Sequence, residues 1–362
     1  DSVINATSSL TVSDGTGNLD GGHAFEVNGN VTFNGAIGDQ TPLASLTAVG
    51  GSTSLGGNVT TTGDQTFESQ VTISSDITFS GNNTSFAGFD GAGYNVTFNS
   101  ADTEIDAGAN SFANVADLTV TGTSKLSGTI ETTGNQSYGG SSKLMGDTTL
   151  ISGAGSINFT GGVNNGSKTL TLGDSAQTGD IFIGGLQVRH LEVGDGAFDV
   201  TLDGALHLTT NLSAPTQFKN TGNLTLVGQG SSFFGGIDTT STSLTKLAGC
   251  LATFGGDMIL GDVTMLNSSF AARFDTRWTQ THGGTAGGGD ITIANFSTGN
   301  LISSKSVEFD IGNGTANAIT FGSINSKNEL IFKGIGGVTV TGDANLSGGV
   351  IAQNLSFEGN ST

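Results

Sequence analysis

Val71-Thr72-Ile73-Ser74-Ser75-Asp76-Ile77-Thr78-Phe79 decides the fold. Two copies of an apolar–threonine–apolar triplet flank a short polar break. The triplet returns as Val31-Thr32-Phe33, Val96-Thr97-Phe98, Leu118-Thr119-Val120 and Leu170-Thr171-Leu172. Later copies include Val200-Thr201-Leu202, Leu224-Thr225-Leu226, Val263-Thr264-Met265, Ile291-Thr292-Ile293, Ile319-Thr320-Phe321 and Val338-Thr339-Val340. Each alternates in–out–in, the period of a strand with one buried face. So short a strand cannot bury its apolar face alone, whereas stacking on neighbours can, which is the logic of a solenoid.

Composition agrees. Among 362 residues there are 60 Gly and only 2 Pro, with 12% charged and 35% apolar residues. That apolar share is low for a globule, yet 22 Phe and the regular triplets set the chain apart from a disordered one. Gly and β-branched residues interrupt nearly every helical turn. The expectation is all-β: a single right-handed parallel β-solenoid of roughly 15–18 coils at about 20 residues each. Residues 1–25 read as an N-terminal strand, either a first coil or an assembly segment. Residues 26–362 read as one continuous solenoid, with an atypical insertion at about 266–289 inside a stretch, 250–290, that departs from the pattern.

The net charge is −20, from 31 acids and 11 Lys and Arg. Such a surface cannot neutralise many phosphates, so no nucleic acid is expected as a partner. No stretch approaches the roughly 18 apolar residues of a spanning helix, so no membrane insertion is expected. The chain begins at Asp1 without Met, as a processed product, an excised fragment or part of a longer protein does. A single cysteine, Cys250, forbids an intrachain disulfide and reads as a small buried hydrophobe.

Thr61-Thr62-Gly63-Asp64-Gln65-Thr66-Phe67 returns 71 residues later as Thr132-Thr133-Gly134-Asn135-Gln136-Ser137-Tyr138. Together with Phe33 to Thr47, this Thr-Thr-Gly-Asx-Gln-x-aromatic motif resembles the repeats of filamentous-haemagglutinin-like and autotransporter-type bacterial exoproteins. The match is clearest over residues 26–170. The resemblance implies a right-handed parallel β-helix on a bacterial cell surface or secreted from it, working in adhesion, biofilm or contact between cells.

Candidate contact residues concentrate in Phe270-Ala271-Ala272-Arg273-Phe274-Asp275-Thr276-Arg277-Trp278-Thr279-Gln280-Thr281-His282. Arg273, Arg277, Trp278 and His282 combine the side chains most enriched at binding hot spots, with Trp able to stack on sugars. The plainer reading has Trp278 covering the coil and Arg273 pairing with Asp275 or another local acid. Sequons at Asn30, Asn58, Asn95, Asn223 and Asn345 place Asn at turns before strands and are candidate glycosylation sites, although chance alone produces many in such a composition. No G-x-S-x-G, H-E-x-x-H or P-loop pattern occurs, and basic residues are scattered, so catalysis is not expected. No cofactor is expected; Ca²⁺ would bind such an acidic surface only adventitiously. Ice binding would need two outward Thr per coil, and most coils offer one.

The function expected is a non-enzymatic structural or adhesive protein, extracellular or on the bacterial cell surface: an adhesin, stalk or biofilm contact. Its partners would be further copies of itself, neighbouring repeats of a longer chain, or glycans of a host or neighbouring cell. The alternative is a self-assembling subunit of an extracellular filament, sheath or matrix fibre, joined by end-to-end stacking or strand exchange. A β-helix carbohydrate-active enzyme is a minor third reading.

Overall fold

The computed structural model describes residues 1–12, 19–208, 214–277, 288–299, 301–302, 305–312, 317–334, 336–352 and 355–358. Among these the chain is all-β without helix, its strands parallel in a β-solenoid of about 15 turns. It divides into two compact units, Asp1–Ile183 and Gly184–Thr362.

In the first unit each turn carries three strand faces, and equivalent residues stack in columns. One column runs Val31, Thr53, Val71, Phe89, Phe112, Ile130, Leu150, Leu172. A second runs Phe79, Phe98, Val120, Tyr138, Phe159, Ile183. The threonines of the triplets point outward between buried neighbours, as at Val71-Thr72-Ile73. Phe67, Phe79, Phe86, Phe89, Phe98 and Phe112 interlock with ring centroids such as 5.1 Å for Phe67–Phe86 and 5.0 Å for Phe89–Phe112. The second unit has its own column, Leu251, Phe274, Phe309, Phe332, with Phe274 and Phe309 stacked at 4.7 Å.

A dry core of Val, Ile, Leu and Phe is the sequence expectation, and one column departs from it. Leu46, Gln65, Thr84, Thr103, Ser124 and Ser142 stack in register, the last five buried and polar. Thr84 Oγ1 lies 2.5 Å from Ser100 Oγ, and Ser124 Oγ donates to Ser142 Oγ at 2.7 Å. Small hydroxyl residues fit here because the larger rings of the same strands, such as Phe67 and Phe86, fill the neighbouring column.

The two copies of the 71-spaced motif build equivalent corners. Gln65 Nε2 donates to Val59 O, Thr61 Oγ1 and Ser80 O at 3.3, 3.2 and 2.8 Å. Gln136 Nε2 donates to Ile130 O, Thr132 Oγ1 and Ile151 O at 3.2, 3.2 and 2.8 Å. Each amide thus caps backbone carbonyls at the bend, and Ser80 O accepts the backbone N–H of Thr61 as well, at 2.9 Å. Yet Gln65 stacks with Leu46 and Thr84, while Gln136 stacks with Leu118 and Ile157. The motif therefore repeats a corner rather than a coil, and it closes two different faces.

Candidate functional site

Strand Ala272–Asp275 lies between Leu244–Ala252 and Val307–Asp310, with Leu330–Lys333 beyond. Ala272 and Phe274 point inward, so alternation turns Arg273 and Asp275 outward. Register then sets Cys250, Arg273 and Glu308 in one column and Ala252, Asp275, Asp310 and Lys333 in the next.

Stacking Asp275 on Asp310 brings two carboxylates together, and the arginines neutralise them. Arg273 Nη2 lies 3.1 Å from Asp275 Oδ2 and donates to Asp310 Oδ2 at 3.1 Å. Arg277 grips Asp275 with both arms, Nε to Oδ1 at 2.9 Å and Nη2 to Oδ2 at 2.8 Å, and its Nη1 lies 3.2 Å from Asp310 Oδ2. This fork geometry is the strong form of an ion pair. Arg273 Nε lies 3.1 Å from Glu308 Oε1 but out of line with it, an ion pair without a hydrogen bond. Glu308 Oε2 meets Lys333 Nζ at 2.6 Å. The cluster Arg273, Arg277, Lys333, Asp275, Glu308 and Asp310 carries no net charge. Its most deeply buried member is Asp310, whose side chain is 5% exposed.

Titration follows from this packing. The hydrogen bond to Asp275 holds the Arg277 guanidinium above its ordinary value despite burial. Burial, aided by the Asp275 carboxylate, pushes the Cys250 thiol up, so it is no ready thiolate nucleophile. Beside the cluster a cavity of about 450 Å³ is lined by Phe270, Ala271, Arg273, Lys305, Ser306 and Glu308. Lys305 Nζ is tethered there to the carbonyls of Ser268 and Phe270. Trp278 and His282 lie outside the described residues. The structure thus brings Arg273 and Arg277 together on Asp275, the local acid expected for Arg273, and adds Glu308 and Asp310 from Val307–Asp310, with Lys333 pairing Glu308 in turn. The sequence signals the arginines and Asp275 but not Glu308, Asp310 or Lys333.

The sequon asparagines sit in cross-coil ladders. Asn95 N–H and Nδ2 donate to the two carboxylate oxygens of Asp76 at 2.9 and 3.1 Å, and Asn95 Oδ1 accepts from Asp117 N–H at 3.0 Å. Asn223 binds Asp199 in the same manner, at 2.7 and 2.9 Å. Asn30 Nδ2 donates to Ser8 O at 3.3 Å and Asn345 Nδ2 to Asn325 Oδ1 at 3.4 Å. Asn58 accepts from Thr78 N–H at 2.9 Å, and among the described residues its Nδ2 has no partner.

A second groove, about 510 Å³, crosses the first unit over Glu104, Asp106, Lys125, Ser127, Met145 and Asp147. At its edge Lys125 Nζ lies 2.5 Å from Asp102. Burial alone would raise the Asp102 carboxyl, but hydrogen bonds from Lys125 and Thr123 outweigh it and hold it below the ordinary aspartate value. The same pairing lifts the Lys125 ammonium. Among the described residues no three His, Cys, Asp or Glu side chains are placed to hold a metal ion, and no helix is long and apolar enough to cross a membrane.

Comparison with known proteins adds one relative. Over 296 residues the chain is 28% identical to "Adhesin BmaC autotransporter" of Brucella suis biovar 1 (strain 1330), a match covering 73% of this chain and 8% of that protein. No family model matches the chain, and no solved structure matches it. The autotransporter side of the sequence resemblance thus has a weakly similar counterpart that is named an adhesin.

Proposed function

We propose that this chain is a non-enzymatic segment of a bacterial cell-surface adhesin of the autotransporter or filamentous-haemagglutinin-like type. The observation that carries the reading is the similarity to an autotransporter adhesin along most of a parallel β-solenoid. In this reading the stacked coils are scaffold, and contact is made by side chains on their outer surface. The candidates are Arg273, Arg277, Trp278 and His282, with glycans of a host or neighbouring cell as ligands. The ion pairs of Arg273 and Arg277 favour a rigid platform over free cations, so a ligand would meet a neutral, hydrogen-bonding surface. Among the candidate sequons, Asn58 is the one whose modification breaks the fewest hydrogen bonds.

The test is binding of the purified chain to glycan arrays and to cultured cells, with mass photometry recording its assembly state. Saturable binding that falls at least tenfold in a Trp278→Ala, His282→Ala double variant supports both the adhesin reading and this patch. Binding unchanged in that variant keeps the adhesin and moves the contact elsewhere. Absence of binding to any cell or glycan overturns the reading.

A further inference from the structure

Among the described residues, Lys305 is the cation beside the candidate site that no carboxylate answers. In the cluster, Arg273, Arg277 and Lys333 are matched by Asp275, Glu308 and Asp310. Lys305 stands next to them in no ion pair, its ammonium donating to the carbonyls of Ser268 and Phe270. An ammonium has three N–H donors, so one is left over. The cavity of about 450 Å³ that Lys305 lines therefore carries one unbalanced positive charge, on a chain whose net charge is −20.

Lys305 is held at both ends. Asn328, 1% exposed, donates through Nδ2 to the carbonyls of Ile302 and Lys305 at 2.7 and 2.8 Å, and Lys305 N–H donates to Ile302 O at 3.0 Å. At the other end, Phe270 N–H donates to Ser268 Oγ at 3.3 Å, closing the turn that presents the two carbonyls to the ammonium. A lysine fixed in this way loses little freedom when it takes a ligand. The same cavity holds other unused groups. Arg273 Nη1 and Ser306 Oγ form no hydrogen bond among the described residues, and Glu308 Oε1 lies by Arg273 Nε without accepting from it. The half-buried Phe270 supplies an apolar wall.

We propose that this cavity binds a carboxylated pyranose, a sugar ring bearing one acid group. Its carboxylate meets the spare Lys305 N–H and Arg273 Nη1, a ring hydroxyl donates to Glu308 Oε1, and its C–H face lies on Phe270. The choice follows from the mixture of groups. A cation alone would take any anion, but an acceptor and an aromatic wall beside it suit a ligand that also carries hydroxyls and an apolar face. Two carboxylate oxygens match two donors. The third oxygen of a sulfate ester would face the Glu308 carboxylate, and the second charge of a phosphate would meet both that carboxylate and the acidity of the whole chain. The source of the sugar, a glycan of another cell, rests on the adhesin reading; the chemistry of the cavity does not.

Calorimetric titration of the full chain with methyl β-glucuronide, methyl β-glucoside and methyl β-glucoside 6-sulfate tests this. The glucuronide should bind roughly tenfold more tightly than the neutral glucoside, the factor that one charged hydrogen bond is worth, and more tightly than the sulfate. Lys305→Met abolishes that preference, and Lys219→Met, at an exposed lysine outside the cavity, leaves it intact. Should Lys305→Met fail to fold, hydrogen exchange of the unaltered chain decides: glucuronide slows exchange in peptides covering residues 268–275 and 305–310, and slowing confined to other peptides overturns the proposal. It is also overturned if the glucuronide binds no better than the glucoside, if the sulfate binds as tightly, or if Lys305→Met keeps the preference. Cells bound by a chain that does not prefer the acid would leave the adhesin reading standing and remove this site. Glucuronide bound here, with no cell or glycan array bound, would do the reverse.

Discussion

Gln65 and Gln136 occupy equivalent corners that differ by one atom. Tyr138 hydroxyl donates to Gln136 Oε1 at 3.1 Å, whereas Phe67, at the matching position, leaves Gln65 Oε1 buried without a partner among the described residues. Phe67→Tyr therefore supplies a missing donor, and we expect urea unfolding to register a gain of about 0.5–1.5 kcal/mol. The reverse change, Tyr138→Phe, should cost about 1–3 kcal/mol by orphaning a satisfied oxygen. Thr103 is fully buried, and among the described residues its hydroxyl has no partner. Thr103→Val keeps its shape and removes the orphan, so its midpoint should rise or hold rather than fall. None of this was legible in the sequence. The motif fixed the equivalence of the two glutamines, but the unmet oxygen depends on which ring stands beside each.

Strands and corners were legible unequally. Apolar–Thr–apolar triplets announce themselves because both inward positions are hydrophobic. The strand segment Asn83-Thr84-Ser85-Phe86 does not: its inward Thr84 and Phe86 carry the alternation only when the column is known. The arginines of the candidate site stood out by rarity, but Glu308 and Asp310 lie more than thirty residues away. No periodicity states how long the intervening excursion is, so their pairing could not be read. At corners, glycine does what no other residue can. A Cβ on Gly155 would run into the backbone of Gly134 one coil below, and one on Gly179 into Gly155. Gly155→Ala should destabilise by about 1–3 kcal/mol, read from urea unfolding, through overpacking against backbone that cannot yield. At the Asp102–Lys125 rung, the carboxyl has its pKa lowered on folding, so its stabilisation is present above the unfolded aspartate value and is lost as pH falls through the folded one. The lysine has its pKa raised, so its share persists below the unfolded lysine value and is lost as pH climbs through the folded one. Both groups are partly solvated, so the pair is worth at most about 1 kcal/mol at neutral pH. Lys125→Met should therefore lower stability slightly near neutrality and not at all in strong acid, checked by urea titrations at the two pH values.

At the scale of the whole molecule, charge is unevenly spread. Three of the 11 basic residues, Lys125, Lys143 and Lys168, lie in the first unit, together with 17 of the 31 acids. Its carboxylates must be accommodated by backbone N–H groups, amides and hydroxyls, and their mutual repulsion is relieved mainly by solvent ions. Raising salt from about 10 mM to about 150 mM shortens the screening length roughly from 30 to 8 Å. We therefore expect salt to slow hydrogen exchange more in the first unit than in the second. Equal responses would mean that local pairing, not summed charge, governs both.

The corner shared by Gln65 and Gln136 has a consequence for how such chains change length. One joint closes different faces, and successive faces begin only about six residues apart, at Gln65, Val71 and Ile77. Losing or gaining one strand with its joint would rotate every later segment by one face and still leave its alternate side chains pointing inward. The grammar of this sequence is therefore written in thirds of a turn, and an insertion or deletion of that size is a change of phase rather than a break.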